Sequence, residues 1–289
     1  MDNNDSLGNE NAGGNVAEPP TVAVLLSQAA TRGVAHLDAQ LLLAALMRRS
    51  RAQLLAFDEL PIDALTTALF HAGLERRAAG EPLAYITGVR EFWSLPLVVS
   101  PDVLVPRPET ELLVERCLAR LGDGPRSIAE LGTGSLAIAA AIAHERPDWQ
   151  IVATDRSPAA LAVAGINRQR LRLSNIELRE GSWCVPLGDN RFDAILSNPP
   201  YVAPGDPALV SLRHEPQVAL VAADQGHADL LSIARCARFH LNPGGGLLLE
   251  HGASQAVRLA AELVGLGYAR IVCHRDLAGL DRVTEATWN

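Results

Sequence analysis

The chain lacks most of what nucleic-acid binders, metalloproteins and membrane proteins rely on. Its 289 residues carry a formal charge of −8, and no Lys/Arg block stands out. Proteins that grip phosphate backbones usually present a basic face, so no direct nucleic-acid partner is expected. The four cysteines, Cys117, Cys184, Cys236 and Cys273, form no C-x-x-C pair and have no histidine at zinc-like spacing. No metal site is therefore expected, and the four read as free thiols of a reducing cytoplasm. Nowhere do about 18 apolar residues run together, which excludes a helical membrane span. Residues 1–20 have neither the basic start nor the apolar stretch of a secretory leader. A cytoplasmic protein is expected, acting as a monomer. Aromatic residues make up only 4% of the chain, so the positions of the few tryptophans and tyrosines are informative.

Hydrophobic residues reach 48%, enough for a sizeable core and, at this length, for more than one domain. Residues 1–20 are rich in Asn, Gly, Asp and Glu and end in Pro19-Pro20; this composition predicts a disordered tail. Residues 21–88 have helical periodicity: Leu41, Leu42, Leu43, Leu46 and Met47 form one apolar stripe, and Leu65, Leu69 and Leu74 a second,. A small all-helical domain follows. In residues 89–106 the runs Phe92–Val99 and Val103–Val105 are of β type, joined by Ser100-Pro101-Asp102, and predict a hairpin linking two domains. From 107 to 289 strands alternate with helices. The strands are expected at Ser127–Glu130, Ile151–Asp155, Ile176–Arg179, Phe192–Ser197 and Gly246–Glu250. Such alternation gives an α/β, doubly wound, mainly parallel sheet of Rossmann-like type.

In such a sheet ligands sit beyond the carboxyl ends of the strands, and two clusters fall there. The first is Glu130-Leu131-Gly132-Thr133-Gly134-Ser135 at the first strand-to-helix turn, where glycines let the backbone approach a ligand closely. Asp155 ends the next strand, 25 residues on, where a carboxylate accepts ribose hydroxyls. Trp183, after the third strand, offers a face for adenine or is a plain core aromatic. These features suit a dinucleotide and S-adenosylmethionine equally. Leu136 occupies the place of a third small residue, so its side chain enters either the helix–sheet interface or the space of the cofactor.

The second cluster is Asn198-Pro199-Pro200-Tyr201, directly after the fourth strand. Two prolines fix φ and remove two backbone donors, leaving rigid carbonyl acceptors. Asn198 adds a side-chain carbonyl, and Tyr201 an aromatic face for a flat substrate group. Two acceptors can bind both hydrogens of an NH₂ group and aim its lone pair at an electrophilic methyl, a reaction that needs positioning more than a strong base.

With these motifs the chain resembles the HemK/PrmC family of glutamine N5-methyltransferases acting on peptide-chain release factors. The resemblance runs from about Val22 to Trp288. It includes Arg90-Glu91-Phe92-Trp93-Ser94-Leu95, Val105-Pro106-Arg107-Pro108-Glu109-Thr110-Glu111, His214-Glu215-Pro216, Leu249-Glu250-His251-Gly252 and Asp281-Arg282-Val283. It implies that Glu130, Gly132, Thr133, Gly134, Ser135, Leu136, Asp155, Trp183 and Asn198 contact S-adenosylmethionine. It also implies that Asn198, Pro199, Pro200 and Tyr201 hold the glutamine of a Gly-Gly-Gln loop, with Asn198, Pro199 and Tyr201 carrying the catalysis. The helical domain would then grip the release factor. Two positions depart from the family pattern: Glu130, where Asp is usual, and Leu136, where Gly is usual. The alternatives are a methyltransferase for a nucleobase amine (DNA adenine or RNA guanine) and a cofactor-impaired protein that only binds release factor.

Overall fold

The computed structural model describes residues 18–289; most of the tail expected to be disordered lies outside the described residues. The chain divides into two compact units, one ending at Ala79 and one running Gly80–Asn289.

The first unit holds α1 (Val22–Thr31), α2 (His36–Met47), α3 (Arg51–Ala56) and α4 (Ala64–Ala78). Side chains close the helix starts. Thr21 accepts from Val24 N, Ser50 and Gln53 form a reciprocal capping box, and Asp63 accepts from Thr66 N at 2.9 Å, supplying acceptors for otherwise orphaned first-turn donors. The core is Leu25, Leu42, Leu43, Leu54, Ile62, Phe70 and Leu74, all at most 2% exposed. The inward stripe of α4 is thus Phe70, Gly73 and Leu74, whereas Leu65 and Leu69, which the periodicity placed inside, are exposed.

In the second unit α5 (Leu83–Thr87) leads into a two-stranded hairpin, β1 (Val89–Phe92) with β2 (Leu95–Val98). The hairpin is earlier and tighter than expected. Its turn is Trp93-Ser94, both at positive φ (53° and 60°), and Val103–Val105 is not a strand. A Trp-Ser pair is not one of the Asn-Gly or Asp-Gly signals for a two-residue turn. Here the conformation is held from outside, since Trp93 N donates to Glu111 and the indole Nε1 to Glu145, both at 2.8 Å.

After a 3₁₀ turn the chain alternates through α6 (Glu111–Leu121), β3 (Ser127–Leu131), α7 (Ala137–Glu145), β4 (Gln150–Asp155), α8 (Pro158–Arg170), β5 (Ile176–Glu180) and β6 (Phe192–Ser197). It then passes a distorted turn, α9 (Ala223–Gly226), to α10 (Ala228–Ala237), β7 (Leu241–Glu250), α11 (Ala256–Gly265), β8 (Ala269–Arg275) and β9 (Asp281–Thr287). The seven strands are ordered β5-β4-β3-β6-β7-β9-β8, and β9 runs antiparallel to both neighbours. Strands β8 and β9 were not foreseen. Most of β8 is exposed or half-buried, so it lacks the apolar run by which buried parallel strands announce themselves.

Successive residues of the central strands serve opposite faces of the sheet. Ile128, Ile151, Leu196 and Leu248 enter one core with α6 and α7; Ala129, Val152, Ile195 and Leu247 enter the other with α10 and α11. Helix α7 is alanine-rich, with Ala139 to Ala143 all at most 1% exposed, so its backbone lies close on the sheet. Cys184 and Cys236 are joined by a disulfide with Cα atoms 6.0 Å apart, which corrects the expectation of four free thiols. The two stand 52 residues apart in sequence and meet only because the segment after β5 packs against α10. Among the described residues no helix is long and apolar enough to cross a membrane, and no cluster of His, Cys, Asp and Glu could hold a metal ion.

Leu136 sits at the N-cap of α7 with φ 75°, ψ 17°, and is fully buried in the core beneath α7. The left-handed conformation costs a leucine about 1 kcal/mol, and the burial of its side chain offsets that cost. Leu136→Ala keeps the strain and removes the burial, so it should lower unfolding free energy by about 2–4 kcal/mol. Urea titration would measure this, and a loss below about 0.5 kcal/mol would show that the side chain is not a core element.

Candidate active site

Pairing register assembles the site. Leu131 pairs with Thr154 on one side and Ser197 on the other, and Ser197 pairs with Leu249. The next residues in these strands or just beyond them are Asp155, Gly132, Asn198 and Glu250, side by side across four strands spaced roughly 4.8 Å apart. The Ser197 hydroxyl donates to Leu131 O at 2.6 Å, tying the two central strands at their ends.

On one side of this row the chain turns tightly after β3. Gly132 and Gly134 take φ 74° and 55°, conformations that favour glycine. The Gly132 and Thr133 amides both donate to Thr154 O at 2.9 Å. The Asp155 carboxylate receives Gly134 N and Ser157 N, each at 2.9 Å, so the acid is fixed by the turn it faces. Glu130 lies beneath, 1% exposed, taking the Thr133 hydroxyl at 2.6 Å and Ala139 N at 3.0 Å. Burial, only partly offset by these bonds, pushes its pKa up to about 8,. Fully buried Asn167 on α8 donates to Ser135 O and Val98 O, both at 2.9 Å, and so holds the turn and the hairpin together.

On the other side stands the Asn-Pro-Pro-Tyr segment. Asn198 is half-buried, and its Nδ2 donates to the Thr110 hydroxyl at 3.1 Å. Tyr201 O accepts from Gln255 Nε2 at 3.1 Å, and Gly226 packs against the same carbonyl so closely that an added Cβ would lie 2.1 Å from it. Arg107 pairs with buried Glu215, which also accepts from Val105 N at 3.0 Å. Both segments open on one cleft, with an empty volume of about 960 Å³ including its mouth. Glu130, Gly132, Thr133, Gly134, Ser135, Asp155, Trp183, Asn198, Pro199 and Pro200 all line it.

Residues 22–88 match the PrmC N-terminal domain family, and residues 91–215 the methyltransferase small domain family. A relative from Coxiella burnetii named release factor glutamine methyltransferase is 47% identical over 252 residues, covering 87% of this chain and 91% of its own. The relative of the same name from Escherichia coli is 46% identical, covering 86% and 90%. The chain belongs to the release factor glutamine methyltransferase family. Among solved structures, a methyltransferase from Pyrococcus furiosus aligns with TM-score 0.53 at 20% identity, covering 76% of this chain and 98% of that one. The hMettl16 catalytic domain, solved with an RNA hairpin, aligns with TM-score 0.56 at 15% identity, covering 78% and 83%. At these identities the likeness is one of fold, the Rossmann-like class I methyltransferase sheet.

Within this family frame, two residues expected in the site stand elsewhere. Leu136 does not line the cleft, because its left-handed backbone sends the side chain into the core. Tyr201 is also absent from the cleft wall. It packs against the core shared with α10 and α11, and its hydroxyl donates to Glu250 at 3.4 Å. Other residues escaped the sequence reading. Thr110 lines the cleft, while Glu250, Gln255 and Gly226 stand behind the Asn-Pro-Pro-Tyr segment. The Thr110–Asn198 bond spans 88 positions, so no local spacing reveals it. The only prior signal was membership of Thr110 and Glu250 in family-like stretches.

Glu250 resembles Glu130 electrostatically: burial pushes its pKa up to about 7, against hydrogen bonding from Thr110 and Tyr201 and the charge of Arg282. Both carboxyls thus bind their protons more tightly folded than unfolded. The stability they add is complete below about pH 4.5, their ordinary pKa, and is lost as pH rises through 7 to 8,. Unfolding free energy should therefore fall from about pH 4.5 to about pH 8, and Glu130→Gln should flatten that fall, most visibly above pH 7, where Glu250 no longer contributes,. Guanidinium titrations across this range are the check, and a flat wild-type profile would refute the assignment. A separate expectation concerns Gly226→Ala, which has no room beside Tyr201 O. Activity should drop at least about tenfold, and a variant with wild-type turnover would show that the carbonyl's position is unimportant.

Proposed function

We propose that the protein transfers a methyl group from S-adenosylmethionine to the side-chain amide nitrogen of the glutamine in the Gly-Gly-Gln loop of peptide-chain release factors. One observation carries this reading: the glycine turn and the Asn198-Pro199-Pro200 carbonyl corner face a single cleft from adjacent strand ends. The relatives' shared name supports the choice of substrate.

The residues present suit the cofactor. Gly132 and Gly134 leave bare backbone on the cleft wall, Asp155 offers carboxylate oxygens where ribose hydroxyls would lie, and Trp183 adds an aromatic wall,. S-adenosylmethionine, when bound, supplies an electrophilic methyl whose S–C bond breaks, its electrons staying on sulfur, as the new N–C bond forms. The protein's part is positional. Asn198 Oδ1 and the Pro199 carbonyl accept the two N–H groups of the substrate amide, which turns the nitrogen lone pair toward the cofactor side of the cleft and displaces water from it. As the N–C bond forms, the nitrogen passes one proton along its hydrogen bond to Asn198 Oδ1 or the Pro199 carbonyl and on to water, so that the sulfonium's positive charge ends as a released proton and the amide product is neutral.

A nucleobase substrate is disfavoured by the overall charge of −8,. The reading makes the protein a monomeric cytoplasmic enzyme with a protein substrate, the helical unit serving recognition. Asn198→Ala should cut turnover on release factor by about 10²–10³-fold while leaving the thermal midpoint within a few degrees of wild type. Mass spectrometry of the Gly-Gly-Gln peptide for a one-methylene gain is the readout. Undiminished methylation by the variant, or modification of nucleic acid alone by the wild type, would overturn the proposal.

A further inference from the structure

An asparagine side chain can turn either its oxygen or its NH₂ toward a ligand, and only the surrounding hydrogen bonds decide which. For Asn198 the deciding neighbour is Thr110, a cleft residue only 4% exposed, whose hydroxyl oxygen accepts from Asn198 Nδ2 at 3.1 Å. A hydroxyl has one proton and two lone pairs. To serve as an acceptor for Asn198 reliably, Thr110 must send its proton elsewhere. Glu250, 1% exposed at the end of β7, accepts from the Tyr201 hydroxyl at 3.4 Å, and its buried Oε2 has no other partner among the described residues. Burial raises its pKa, while hydrogen bonding from Thr110 and Tyr201 and the charge of Arg282 favour the carboxylate, so that this oxygen is the acceptor available to the Thr110 proton. The strand register places Glu250 beside Asn198, one residue past the Ser197–Leu249 pair.

We propose that Glu250 and Thr110 form a relay that locks Asn198 with its oxygen toward the cleft, so that the site selects a carboxamide NH₂ and rejects a carboxylate. The proposal rests on the glutamine-methylation reading above and names what sets its specificity. Neither Thr110 nor Glu250 touches the reacting atoms in this scheme; both are positioning residues. Without the relay the amide is free to turn and present NH₂, which would leave the substrate's own N–H groups facing donors and welcome a glutamate in its place.

The test uses the full-length enzyme and full-length release factor, with its Gly-Gly-Gln glutamine either intact as substrate or replaced by glutamate as a competing inhibitor. Thr110→Val removes the hydroxyl while keeping the side chain's shape. It should lower kcat/KM on the glutamine factor about 10–100-fold, and tighten inhibition by the glutamate factor about tenfold. Thr110→Ser, which restores the hydroxyl, should return both quantities to within about threefold of wild type. A merely structural role for Thr110 would slow turnover without changing the preference for amide over acid. Glu250→Gln keeps the volume and should move discrimination in the same direction as Thr110→Val, which covers the case in which the valine variant fails to fold. An unchanged ratio between glutamine and glutamate factors in both variants, or no rescue by serine, overturns the relay. Failure of the wild type to methylate the glutamine factor would instead remove the underlying reading, and that control is read separately.

Discussion

Everything at the active site depends on the in-register parallel pairing of β3 with β6. A sheet allows slips of one residue only at the cost of exchanging its inner and outer faces. Here both faces are packed, Ile128 and Leu196 toward one core and Ala129 and Ile195 toward the other. Register is therefore fixed by burial on both sides at once, and the first residues beyond the paired rows inherit that precision. Gly132 and Asn198 need no flexible loop to meet. They leave neighbouring strands at the same height, and the ligand-facing edge is as well defined as the core beneath it.

The second constraint is electrical. Two carboxyl groups, Glu130 and Glu250, are buried directly under the two halves of the cleft, where desolvation opposes their charge. Glu130 receives the Thr133 hydroxyl at 2.6 Å, and Glu250 the Tyr201 hydroxyl at 3.4 Å, with hydrogen bonding from the Thr110 hydroxyl also lowering its pKa. Each of these hydroxyls is tied to a segment of the site: Thr133 lies in the glycine turn, Thr110 braces Asn198, and Tyr201 closes the Asn-Pro-Pro-Tyr motif. Buried polar networks specify geometry to the extent that they are satisfied: Glu130 accepts two hydrogen bonds, from Thr133 and Ala139, whereas Glu250 accepts from Tyr201 and keeps one buried oxygen without a partner among the described residues.

Much of this was readable in the sequence, because the strongest signals are local. The glycine turn, Asp155 and Asn-Pro-Pro-Tyr each announce themselves by residue type and by position after a strand, and the inner parallel strands β3, β4, β6 and β7 by apolar runs buried on both faces. What stayed hidden has a common cause. The Trp93-Ser94 turn is stabilised by Glu111 and Glu145 rather than by its own composition. The Cys184–Cys236 bond joins segments that only the fold brings together. The Thr110–Asn198 and Tyr201–Glu250 contacts cross 88 and 49 positions. Family resemblance pointed at Tyr201 and Leu136 as ligand contacts, yet the first turns toward Glu250 and the second into the core. A motif identifies the chain segment but not the direction in which each side chain leaves it.

Leu136 joins a left-handed backbone turn and a core side chain in one residue. The residue that bends the backbone from cradle to helix is also a brick in the hydrophobic interior under α7. Glycine there would relax the bend but open a void, and a bulkier apolar residue would have to push α7 outward, carrying Ser135 and Ala137 with it. In this chain, then, the shape of the glycine-turn wall of the cleft is coupled to the oily side of the sheet, and substitutions at Ala139, Ala140, Ala141 or Ala143 are felt at a surface those residues do not line.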